Sequence, residues 1–111
     1  MHKDNNVNAM RKLTSYIGFA KKSGKITVGC NLTVDGIRSG RRSPLVAVVT
    51  QDASKNTLSR IENCCKYYEV PLIKAEMTGE ELGNLVSSSS TVSVVGVTDV
   101  QLASAILKYF H

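Results

Sequence analysis

The chain has 111 residues, 42% of them hydrophobic, which suits one packed domain and excludes both a disordered chain and a second domain of ordinary size. No apolar run approaches the ~20 residues that span a bilayer, and the polar start MHKDNNVNAM lacks the apolar centre of a secretory signal. The formal net charge is +5 but uneven: residues 1–42 hold nine basic side chains against two acidic, and residues 43–111 hold five against seven, so the first part of the chain invites a polyanion.

Residues 1–8 read as a flexible polar tail ahead of a single domain over 9–111, in a protein expected in the cytoplasm. Met10, Leu13, Ile17 and Ala20 then form one helical stripe over 8–22, with Lys21, Lys22 and the following Gly24 as C-terminal signals. KITV is a short strand. Helical spacing returns over 29–39 through Leu32, Gly36 and Ile37, and Gly40 closes it. Residues 44–49, PLVAVV, make a strand apolar on both faces, as in the middle of a sheet between helical layers; Pro44 sits where a strand tolerates it.

Ser54 caps the next helix, whose stripe is Leu58, Ile61, Cys65 and Tyr68. VPLIKA is a third strand. Thr78-Gly79-Glu80-Glu81 fits a capping box ahead of Leu82, Leu85 and Val86. Ser87–Ser90 is a loop, TVSVVGV a fourth strand, and Asp99 caps a last helix carrying Leu102, Ala103, Ile106, Leu107 and Phe110. Strict alternation of helices and strands predicts an α/β fold, a three-layer α/β/α sandwich.

The chemistry-bearing residues argue against catalysis. Cys30, Cys64 and Cys65 are odd in number, two are adjacent, and no CxxC or Cys/His cluster suggests zinc. Packing thiols in a reducing compartment are expected. Cys30 lies near a helix N-terminus, which favours a thiolate, yet no histidine or second thiol stands by to make it a nucleophile. His2 and His111 lie at the chain ends, and Asp52, Glu80 and Glu81 form no obvious acid–base pair. Tyr68 follows the buried stripe, with Tyr67 its half-exposed neighbour. No catalytic or metal-ligating residue is assigned, and neither a cofactor nor an enzymatic activity is expected.

Residues 28–42, VGCNLTVDGIRSGRR, carry the functional argument. A helix that starts directly after a strand aims its first unpaired N–H groups and its positive dipole end outward, and Asn31 or Thr33 can cap or donate there. Such a corner suits a phosphate or a base edge, although a ligand-free capped turn explains the same residues, and neither GxGxxG nor GK[ST] is present. A helix of about ten residues is ~15 Å long, so Arg38, Arg41 and Arg42 lie at the far end from Asn31. There they either complement the helix's negative end or make a second phosphate contact, and Lys25 could frame either surface.

The run VGCNLTVDGIRSGRRSPLVAVVTQDAS, followed by YYEVPLI and ELGNLV, resembles the family of large-subunit ribosomal proteins and kink-turn RNA binders known as L-seven-A-e and L-thirty-e, above all its small bacterial members. The likeness covers about residues 9–110 and implies an α/β/α sandwich around a four-stranded mixed sheet. It implies RNA gripped by Gly29, Cys30, Asn31, Leu32 and Thr33, with a closing loop at Ser87, Ser88, Ser89 and Ser90. Kink-turn binders carry Asn-Glu where this chain has Asn31 and Leu32, and often Lys where it has Asp35. Leu32 cannot accept a hydrogen bond from guanine, Asp35 repels phosphate, and serines replace the usual apolar loop tip. Glu80 and Glu81 stand where several relatives are basic.

The expected partner is therefore RNA, either rRNA in a ribosomal setting or another structured RNA such as a kink-turn, with no membrane partner. The expected site comprises Lys25, Gly29–Thr33, Arg38, Arg41, Arg42 and Ser88–Ser90. A protein-interaction module on the same fold is the alternative, suited by the neutral Leu32 and Ser87–Ser90; a nucleotide or small-molecule enzyme is the outsider.

Overall fold

A computed structural model describes residues 2–110, with side chains from Val7 onward. The elements are α1 (His2–Lys22), β1 (Ile26–Val28), α2 (Cys30–Ser39), β2 (Val46–Thr50), α3 (Lys55–Tyr68), β3 (Leu72–Ala75), α4 (Gly79–Leu85), β4 (Val94–Val97) and α5 (Val100–Leu107). The backbone of α1 takes in residues 2–8, where a tail was expected; Met1 and the side chains of residues 2–6 lie outside the described residues.

The strands form one mixed sheet in the order β1-β4-β2-β3. β4 pairs antiparallel with both β1 (Thr27 opposite Gly96) and β2 (Ala47 opposite Gly96), while β2 and β3 run parallel (Val48 opposite Ile73). β2 begins at Val46, two residues after Pro44, which has no N–H to give to a ladder. Successive side chains of a strand point to opposite faces, so the apolar β2 is buried twice. Val46 and Val48 pack with Leu13, Ile17, Leu82 and Ile106 under α1, α4 and α5; Ala47 and Val49 pack with Val34, Ile37 and Ile61 under α2 and α3. The fold is thus a three-layer α/β/α sandwich.

Local signals and packing agree at three helix starts. Ser54 Oγ accepts from the Thr57 amide at 3.2 Å, and Asp99 Oδ2 accepts from the Leu102 amide at 2.9 Å. Thr78 completes its capping box, accepting from the Glu81 amide at 3.1 Å while its own amide donates to Glu81 Oε1 at 3.0 Å. Each cap contributes about 1 kcal/mol. Tyr68 departs from expectation. It lies at the end of α3, beyond the covered part of the stripe, and is 43% exposed, with Tyr67 80% exposed beside it.

Strand direction positions the site. β1, β2 and β3 finish at the end of the sheet where β4 begins. The starts of α2, α3 and α4 and the loop into β4 therefore gather at that one end. Among the described residues no helix is long and apolar enough to cross a membrane.

Candidate functional site

The corner between β1 and α2 is organised by Gly29, the residue preceding the helix. Its φ of 98° and ψ of 153° are rarely open to a residue with a side chain, although an added Cβ would meet nothing within 4 Å. Backbone conformation, not crowding, requires the glycine. Its amide donates to the Val94 carbonyl at 2.8 Å, which ties the corner to the start of β4. No side chain caps α2, so the first amides of that helix face a hollow of about 510 Å³ lined by Val28–Leu32 together with Asn56, Thr57 and Arg60.

Arg60, which the sequence reading did not select, defines the chemistry of this hollow. It stands on the exposed side of α3, and its Nη1 donates to Asn31 Oδ1. A guanidinium can only donate, so the Asn31 amide must present its oxygen to Arg60 and turn its NH₂ outward. Asn31 Nδ2, the remaining Arg60 N–H groups and the start of α2 then make the hollow rich in donors. Such a surface is complementary to phosphate oxygens and to acceptor-rich base edges. The sequence clue to Arg60 was slight: a charge off the apolar stripe of α3, brought near Asn31 only because α2 and α3 start at the same end of the sheet.

Two expected residues of the corner behave differently from expectation. Thr33 is fully buried; its Oγ1 donates to the Gly29 carbonyl at 2.8 Å and pairs with Thr27 Oγ1 at 2.8 Å, so it holds the turn and faces no ligand. Cys30 does not favour a thiolate. Burial pushes its thiol pKa up, outweighing the opposing charge and hydrogen bond of Arg60. Leu32 is 61% exposed on the rim.

The arginines at and just beyond the end of α2 belong to a second hollow. Arg38, Arg41 and Arg42 line a groove of about 810 Å³ with Lys21, Asp35 and Tyr68. Val28 and Leu32 line both hollows. Arg42, at φ 47°, sends Nη2 to the Gly24 carbonyl at 2.8 Å, so it braces the turn after α1 instead of the end of α2. Arg38 alone lies in the last turn of α2.

Lys25 is exposed and lines neither hollow. The Ser88–Ser90 loop leads towards the same end of the sheet but likewise lines neither hollow. It is clamped onto α4: the Ser88 amide donates to the Gly83 carbonyl at 2.9 Å, and a Cβ on Gly83 would stand 2.6 Å from the Ser90 oxygen. Glu81 is occupied by its capping box. Among the described residues no group of three His, Cys, Asp or Glu side chains could hold a metal ion.

Comparison with known proteins adds to this geometry. The profile of the Ribosomal protein L7Ae/L30e/S12e/Gadd45 family matches residues 11–107. The RNA-binding protein YlxQ of Bacillus subtilis is 33% identical over 91 residues, covering 82% of this chain and 87% of the relative. The large ribosomal subunit protein eL30 of Methanosphaera stadtmanae is 30% identical over 79 residues, covering 71% of this chain and 79% of its own. Among solved structures, the Giardia lamblia 15.5kD RNA binding protein superposes with a TM-score of 0.78 at 14% identity, covering 92% of this chain and 84% of that one. A Bacillus halodurans protein of unknown function superposes with a TM-score of 0.77 at 20% identity, covering 86% and 93%.

Proposed function

We propose that this chain, which belongs to the Ribosomal protein L7Ae/L30e/S12e/Gadd45 family, binds structured RNA at the β1–α2 corner and performs no catalysis there. The observation that carries the reading is the donor-rich constellation of Asn31, Arg60 and the uncapped start of α2. The RNA-binding names of YlxQ and the Giardia protein support it.

Asn31 Nδ2 donates to an acceptor on a base edge. Arg60 takes a phosphate or the O6/N7 edge of a guanine, and the α2 amides take phosphate oxygens. Leu32 packs on a base or sugar where a carboxylate would accept from guanine. The corner therefore grips a kinked RNA mainly through its acceptors and its shape, and rRNA is one RNA that offers both. Ser88–Ser90 approach from the loop before β4, and Lys25 adds positive potential from outside the hollow.

A gel-shift series tests this with a kink-turn RNA, the same RNA with its G·A pairs disrupted, and a plain duplex. Wild type is expected to prefer the kinked RNA over the duplex, with Asn31→Ala and Arg60→Ala each losing about 1–3 kcal/mol of that binding. Equal affinity for all three RNAs, or loss of binding no greater than that caused by substituting an exposed residue on α5, would reject the corner as the site.

A further inference from the structure

We infer that the groove along α2 is a track for an unpaired stretch of the same RNA, with a base stacked on Tyr68 and its phosphates held by Arg38, Arg41 and Arg42; this rests on the corner being the RNA site. Four observations converge on it. The groove is continuous with the corner, because Leu32 lines both hollows. Leu32, Asp35 and Ser39 follow one another along the groove face of α2, a path of about 10 Å at the rise of an α-helix.

The groove is positive on balance, with Lys21, Arg38, Arg41 and Arg42 against Asp35. Among the described residues the one ion pair joins Lys74 of β3 to Glu62 of α3, so the groove's arginines have no carboxylate partner within ion-pair distance. Asp35, its one acid, lies between Leu32 and Arg38 and repels phosphate, which directs the sugar–phosphate chain to the arginine side. Arg42 is held in place by the Gly24 carbonyl through one N–H, leaving its other donors for a ligand.

The fourth observation is aromatic. Tyr68 occupies a position on the apolar stripe of α3 yet is exposed at the groove, with Tyr67 set edge-on to it at 4.8 Å and 73°. A cationic groove with an exposed ring is the arrangement that receives unpaired bases, since each base offers a face to stack and a phosphate to neutralise. A duplex hides those faces, and an acidic peptide such as polyglutamate has no planar base to stack on the ring.

The test compares a blunt kink-turn RNA with the same RNA bearing a short unpaired 5′ or 3′ extension that contains 2-aminopurine. Wild type is expected to bind one of the extended RNAs more tightly and to quench its fluorescence. Tyr68→Ala should lose about fivefold or more of the affinity for extended RNA only, while Tyr68→Phe retains it. Arg41→Ala should lower the salt slope by about one, again only with the extension. Equal binding of blunt and extended RNA overturns the inference and leaves the corner site standing. So does a loss in Tyr68→Ala that is equal on both RNAs, or a groove that takes up polyglutamate while the extension adds nothing. Failure of wild type to bind any of these RNAs overturns the corner reading itself.

Discussion

Asn31 and Arg60 show how a single contact decides what a surface can recognise. With its oxygen engaged by Arg60, Asn31 works as a donor, and changing it to Asp keeps the partner while removing the donors. Asn31→Asp is therefore expected to leave the melting temperature unchanged or higher and to reduce RNA affinity at least tenfold, read by thermal melting beside a gel shift. Leu32→Glu restores an acceptor on the rim, and should sharpen the preference for intact over disrupted G·A pairs. The place of Asn31 at the start of α2 was readable in the sequence from the strand-to-helix glycine before it. Arg60 was not, because its partner lies 29 positions away and only the shared direction of α2 and α3 brings them together. Thr33 was misread for a related reason: sequence spacing does not tell a hydroxyl that faces solvent from one that closes a buried turn. Burial also governs Cys65, whose thiol pKa is pushed up to about 11 by desolvation and, less strongly, by Cys64 and Cys30. The unfolded chain ionises this thiol near its ordinary value of 9.0, so the stability it confers is intact below pH 9 and drains away as pH rises towards 11. Thermal melts in that window should fall less steeply for Cys65→Ala than for wild type.

Helix caps were the most legible elements, since Ser54, Thr78 and Asp99 act within three residues of themselves. The close approach of the Ser88–Ser90 loop to Gly83 left no such mark. There the missing Cβ makes room for a backbone oxygen that sequence cannot locate. Gly83→Ala should cost about 1–3 kcal/mol, seen as a lower denaturation midpoint, and should speed hydrogen exchange in the loop leading to β4. Gly29→Ala acts differently. It meets no neighbour, but forces a side chain into a disfavoured backbone conformation worth roughly 1–3 kcal/mol, and so loosens the very turn that presents the α2 amides. The end of α3 was the other illegible element. A helical stripe predicts which way Tyr68 points, but not that the sandwich ends before covering it.

At the scale of the whole molecule, alternating helices and strands were enough to indicate three layers, and the family resemblance implied a four-stranded mixed sheet, whereas the order β1-β4-β2-β3 is seen only in the structure. That order brings the corner hollow, the loop before β4 and the start of α3 to one end, and it sets the groove against the corner. The lone described ion pair, between Lys74 and Glu62, has a further effect. Positive charges crowded around α2 repel one another in the free protein, a self-penalty that dissolved ions relieve. The same ions compete with the protein for phosphates. Adding salt should accordingly raise the melting temperature of the unliganded chain while weakening its complex, two opposite responses measurable in one buffer series.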